Sequence, residues 1–198
     1  MPALLHKHHR SKSVELQIDM PRYAGLKVSR EEYLDLEDDG FKYDMVEGVL
    51  QVAPSGEFEH GKLQLSFGSK LIAYLEKNDL GKAVTEIDTF LPDGGDVVRP
   101  DVSFILTGKL NIVKTHIHGV PDLVCEVLSP GSIKRDLGIK AQRYLKNGVS
   151  EYWIVYPKEK KIELWINKNK KEWDKKSTPI LKSSLLKGFK INQKDFFK

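Results

Sequence analysis

Between Glu59 and Lys77 the chain places Leu63, Phe67, Leu71 and Leu75 four residues apart, with Ile72 beside them. That recurrence draws one apolar stripe and predicts an amphipathic helix, followed by Gly81. Upstream, KVSREEYLDLED offers a helix start in which Ser29 precedes Glu31 and Glu32, acids suited to the positive end of a helix dipole. The stretch FKYDMVEGVLQVAPS alternates around Glu47-Gly48 and predicts a short hairpin ending at Pro54. Beyond the long helix, AVTEIDTFL, VVRPDVSFIL and PDLVCEVL read as three strands, rich in β-branched residues and separated by Pro and Gly. SIKRDLGIKAQRYLKNG reads as a helix closed by Asn147-Gly148, and EYWIVY with KIELWI as a hairpin around Pro157–Lys160. Residues 1–25 read as an irregular arm and 26–198 as a single domain. The order of elements predicts an α/β fold with a mixed β-sheet flanked by helices.

Composition narrows this picture. A chain of 198 residues with 40% hydrophobic content holds enough for one ordinary core. Its single cysteine, Cys125, rules out an internal disulfide framework and fits a reducing cytoplasm. The apolar run around it predicts a buried, inert thiol. No apolar run approaches the ~20 residues of a membrane span, and MPALLHKHHRSKS lacks the hydrophobic segment of a signal peptide. The net charge of +4 is uneven. Residues 158–198 carry thirteen lysines against five acids, +8, while residues 1–157 carry nineteen bases against twenty-three acids, −4. A lysine-rich segment either meets phosphates or forms a solvated face.

The chemistry begins at LVCEVLSPG, where Glu126 stands between Cys125 and Val127. In a strand, Asp122, Val124, Glu126 and Leu128 share one face, and Leu123, Cys125 and Val127 the other. An ionised carboxylate in such a segment is expensive unless it is paired or binds a metal. Asp101, after Arg99-Pro100, supplies a second acid in the preceding strand. If the two strands are neighbours, acids about 4 Å apart repel by roughly 4 kcal/mol at an effective dielectric of about 20. A hard divalent cation relieves that repulsion, and all-oxygen ligation points to Mg²⁺ or Mn²⁺. A structural ion pair with Arg99 or a lysine would relieve it too. His116 and His118 in THIHG have the spacing to share a strand face but fall in a predicted loop. Ser129 lies outside any G-x-S-x-G elbow, which argues against a serine hydrolase.

The succession VRPDVSFIL, then PDLVCEVLSPGSIKRDLGIKAQRYLKNGVSEYWIVYPKEKKIELW, resembles the Uma-two family of restriction-endonuclease-like proteins, within the PD-(D/E)XK nuclease superfamily. The likeness extends upstream through YDMVEGVLQVAPSGEFEHGKL and so covers about residues 41–166. It implies a restriction-endonuclease-like core. It also implies that Asp101 and Glu126 are metal ligands, with the Val127 carbonyl as a third. The superfamily lysine normally stands two residues after the second acid. Here that position is Leu128, a departure that the family shares. Lys140 is the substitute candidate, because Asp136, Lys140 and Tyr144 recur every four residues on one helical stripe. From there it would orient or deprotonate the attacking water. The resemblance also marks Glu47, in an early Glu-Gly pair, as an accessory acid, and His60 as a helix-start residue close to the site.

The implied activity is a Mg²⁺- or Mn²⁺-dependent endonuclease acting on DNA. Cleavage of a duplex would call for a homodimer. The alternative is a nucleic-acid-binding or regulatory module on the same fold that does not cleave, a reading fed by the displaced lysine.

Overall fold

The structure, a computed structural model, describes residues 20–54 and 56–198. Most of the expected arm, with His6, His8 and His9, lies outside the described residues. Local chemistry sets the first elements. Ser29 caps α1 (Arg30–Leu34) by accepting from the Glu32 amide, while the Glu32 carboxylate accepts from the Ser29 amide. Glu47 and Gly48 take φ of 55° and 76°, the left-handed values a two-residue hairpin turn requires. They fold β1 (Tyr43–Val46) back on β2 (Val49–Val52). The fourfold apolar spacing becomes α2 (Phe58–Leu75), which buries Leu63, Phe67, Leu71 and Leu75.

Two of the three expected strands break in the middle, and the halves join different sheets. AVTEIDTFL divides at Glu86, which has φ of 52°, into β3 (Gly81–Thr85) and β4 (Thr89–Phe90). VVRPDVSFIL divides at Arg99-Pro100 into β5 (Val97–Val98) and β6 (Val102–Leu106), since proline has no N–H for a ladder. The short β7 (Ile117–His118) follows, where His118 stacks on Phe90 with ring centroids 4.7 Å apart, so THIHG packs against an aromatic ring. The third expected strand stays whole as β8 (Leu123–Val127). The expected helix after it is two segments: a π-helical stretch, Arg135–Lys140, and then α3 (Ala141–Asn147), closed by Gly148 at φ 93°. The hairpin β9 (Glu151–Tyr156) and β10 (Lys161–Lys168) gains a partner in β11 (Glu172–Lys176). A small pair, β12 (Ile180–Lys182) and β13 (Lys190–Asn192), and the short α4 (Gln193–Phe196) complete the chain.

The larger sheet has the order β11-β10-β9-β8-β6-β3, with β8 and β9 parallel and its other pairs antiparallel. A second sheet runs β2-β1-β5-β4-β7. Strand β8 is covered on both faces. Leu123, Cys125 and Val127 pack with Phe67 of α2 and Trp153 of β9, whereas Val124 joins Tyr144 of α3 and Tyr152 of β9. Burial pushes the Cys125 thiol well up, so it stays protonated and inert. Among the described residues no helix is long and apolar enough to cross a membrane.

At the start of β9, Glu151 is fully buried, and five hydrogen bonds account for it. Its carboxylate accepts from Trp153 Nε1, Ser183 Oγ, Ser184 N and Oγ, and Leu185 N at 2.6–3.0 Å. These bonds tie the C-terminal segment to the sheet. Glu151→Ala strands several buried donors at once and is expected to lower unfolding stability by about 3 kcal/mol or more. Glu151→Gln, which keeps an acceptor and the shape, should lose less. Urea unfolding reads both changes.

Candidate active site

Glu126 is the fourth residue of β8, and the antiparallel register of Val102 with Cys125 sets Asp101 opposite it. The Asp101 amide donates to Glu126 Oε2 at 3.3 Å, and the Val127 amide donates to Asp101 Oδ2 at 2.6 Å. The two acids therefore brace one another through backbone donors at the strand junction. Their carboxylates line one pocket of about 430 Å³, together with His60, Arg99, Arg135 and Lys140. Val127 meets the site through its N–H; it is not among the lining residues.

Lys140 enters from the last turn of the π-helical stretch. Its Nζ lies 3.0 Å from Glu126 Oε1, 3.4 Å from Asp44 Oδ2 and 3.6 Å from Asp136 Oδ1, with all four side chains almost wholly buried. Tyr144, one turn on, donates its hydroxyl to Glu126 Oε1 at 2.8 Å. Lys140 and Tyr144 of the stripe thus meet Glu126 and Asp136 reaches it through Lys140, and a π-helical stretch in that position is a frequent mark of functional sites. Burial opposes the lysine charge, but Asp44, Glu126 and Asp136 outweigh it and raise the Lys140 pKa. A lysine held protonated orients neighbouring groups and leaves proton abstraction to others.

Asp44 is the residue that sequence reasoning missed. It lies on β1, buried, where Oδ1 accepts from the Arg99 amide at 2.9 Å and Oδ2 faces Arg135 Nε at 3.3 Å. The signal was the one that singled out Glu126: an acid inside the apolar strand YDMV. Glu47, expected as the accessory acid, does not line this pocket. The two-residue turn carries it to the tip of its hairpin, where its exposed carboxylate accepts from the Arg143 guanidinium at 2.9 Å. His60 does reach the site. Its Nε2 lies 3.3 Å from Asp101 Oδ2, and the hydrogen bond to Asp101 is the main cause of its raised pKa.

Does this donor set suit a divalent metal? Asp44, Glu126 and Asp136 share two full cations, Lys140 and Arg135, and Asp101 has His60 alone, so the acids outnumber the full positive charges. Asp44 Oδ2 and Asp136 Oδ1 are buried without a hydrogen-bond partner. Among the described residues no three acid, histidine or cysteine side chains form a cage. Two carboxylates at a pocket wall, with other positions left to water and phosphate, are what Mg²⁺ ordinarily takes. The residues fit such an ion.

A family model described as "Putative restriction endonuclease" (Uma2) matches residues 30–193. Among solved structures, a protein from Anabaena variabilis ATCC 29413 described as a "putative nuclease belonging to DUF820" superposes with a TM-score of 0.74 at 18% identity. The match covers 86% of this chain and 97% of that one. At that identity the likeness concerns the fold, a mixed α/β architecture. No curated protein matches the chain.

Burial pushes Glu126 up to about 8; Lys140 draws it down, while Asp136 and Asp101 add to the rise. The folded value lies above the unfolded 4.5, so the native state retains a proton that the unfolded chain has released. Stability from this group is complete below the unfolded value and is lost as pH climbs towards about 8. In EDTA, the wild-type urea midpoint should therefore fall across this window more steeply than that of Glu126→Gln. Parallel pH profiles would contradict the assignment.

Proposed function

This chain belongs to the Uma2 family, and from that footing we propose that it is a nuclease that hydrolyses phosphodiester bonds in DNA with Mg²⁺ or Mn²⁺. The observation that carries the reading is the charge balance at the end of β8. Asp44, Glu126 and Asp136 share Lys140 and Arg135 while Asp101 has only His60, so the acids outnumber the full positive charges, an excess that one divalent cation would relieve. Asp101 and Glu126 would hold the ion. When bound, it would neutralise charge on the scissile phosphate and lower the pKa of a water.

The chain's own residues supply the rest. Lys140 and Tyr144 fix the Glu126 carboxylate from behind, at 3.0 and 2.8 Å, and hold it towards the pocket. Asp44 and Asp136 keep Lys140 protonated, so it acts as a fixed positive charge. Arg99 and Arg135 line the pocket and would attract a phosphate. His60 lines the pocket against Asp101 with its pKa raised, and there it would act as a proton donor to a leaving oxygen. The excess of lysine over acid in residues 158–198, +8, would draw a polyanion. Cutting both strands of a duplex needs two such sites, which a symmetric pair of chains would supply.

Plasmid, linear, branched and single-stranded DNA incubated with Mg²⁺, Mn²⁺ or EDTA test the proposal. Cleavage is expected with either metal and none in EDTA. Asp101→Asn and Glu126→Gln should each lower the rate at least ~100-fold while the proteins remain folded. Lys140→Arg should retain more activity than Lys140→Met. Binding of DNA without cleavage under any condition would favour the non-cleaving module instead.

A further inference from the structure

Beside the carboxylate pocket lies a second, smaller cavity of about 170 Å³. It opens past the C-terminal ends of the parallel strands β8 and β9, the side on which open α/β sheets collect their ligands. Leu128, Pro130, Ile133, Tyr156 and Pro157 form apolar walls. Glu57, His60 and Ser129 line both cavities, so the two share a partition. The Ser129 Oγ in that partition is buried and has no hydrogen-bond partner. Of the residues given roles at the carboxylate site above, His60 alone lines this space.

Size, charge and position together restrict the occupant. A cavity of ~150 Å³ with apolar walls accommodates one benzene ring, so this one has room for one planar base, and the smaller pyrimidine enters with the least displacement of the walls. Glu57, Glu59 and Glu159 at its rim outnumber Lys158, which repels a phosphate but not an uncharged ring. The arginines that suit a phosphate, Arg99 and Arg135, line the adjoining pocket instead. One molecule with an anionic end and a flat neutral end satisfies both cavities, and that is a nucleotide. We propose that the smaller cavity is a subsite for one pyrimidine base whose own phosphate lies in the carboxylate pocket. A base stacked and paired in a duplex cannot enter, so the preferred substrate carries an unpaired pyrimidine there, in a single strand, a flap or a flipped-out position. The unsatisfied Ser129 hydroxyl and the rim carboxylates are partners for the polar edge of the ring.

The inference rests on the nuclease reading for its substrate, yet it can fail separately. Binding of thymidine 5′-monophosphate, deoxyadenosine 5′-monophosphate and inorganic phosphate, each with Ca²⁺, is measured by calorimetry on the wild type and on Ile133→Trp. Ile133 is 45% exposed at the lip, so its replacement fills the cavity without disturbing the core. The pyrimidine nucleotide should bind about tenfold more tightly than phosphate or the purine nucleotide, within what burial of one base supplies. Ile133→Trp should abolish that excess and leave phosphate binding as it was. No pyrimidine excess in the wild type, including no binding at all, overturns the subsite, as does an excess that survives Ile133→Trp. Selective pyrimidine binding in a protein that cuts no DNA would keep the subsite and remove the nuclease. Cleavage without pyrimidine selectivity would do the reverse.

Discussion

At the end of β8 a buried ammonium sits among three buried carboxylates, and much of the molecule is arranged to keep it there. Lys140 lies within 3.6 Å of Asp44, Glu126 and Asp136, which arrive from β1, β8 and the π-helical stretch. Removing the lysine leaves carboxylate charge in a medium that does not solvate it, a cost of several kcal/mol. That penalty links the hairpin of the smaller sheet to the centre of the larger one. Arg135 adds a second link from the same side, reaching Asp44 Oδ2 at 3.3 Å and the Val52 carbonyl at 3.2 Å.

A comparison of two buried glutamates in neighbouring strands shows why this cluster reads as chemistry and not only as architecture. Glu151 is enclosed by five donors, lines neither of the two adjoining cavities, and needs nothing further. Glu126 has a cation, a phenol and an amide, opens onto a pocket, and shares its surroundings with more carboxylates than positive charges. Of the two, only Glu126 sits where a further cation would lower the energy. Its raised pKa expresses the same deficit as a proton, a stand-in for the missing charge.

Much of this could be seen in the residues alone. An acid inside LVCEVL is conspicuous because apolar strands exclude carboxylates, and the strand register then requires Asp101 opposite it. The fourfold spacing of Asp136, Lys140 and Tyr144 placed them on one stripe, and the structure brings Lys140 and Tyr144 to Glu126 with Asp136 behind the lysine. Asp44 carried the same cue in YDMV, yet the neighbouring Glu-Gly pair drew the accessory role to Glu47, which a two-residue turn holds away from the pocket. The strand breaks at Glu86 and Pro100 were legible in part, since a proline interrupts any ladder; that the halves would enter different sheets is a tertiary outcome. Strand β11 was hidden by its charge. EWDKK lies in the lysine-rich segment and offers no alternation of apolar residues, and it forms an edge strand whose Lys175 lies over the Trp165 ring at 3.5 Å.

The proposed activity depends on a divalent cation completing the charge at Asp101 and Glu126 while Lys140 keeps its place. Crystals soaked in Mn²⁺ and measured at an anomalous wavelength test it most directly. One anomalous peak bonded to both carboxylates, with the Lys140 ammonium still beside Glu126, is the predicted result. No peak in the pocket, or a manganese ion seated among Asp44 and Asp136 in place of the lysine, would contradict it.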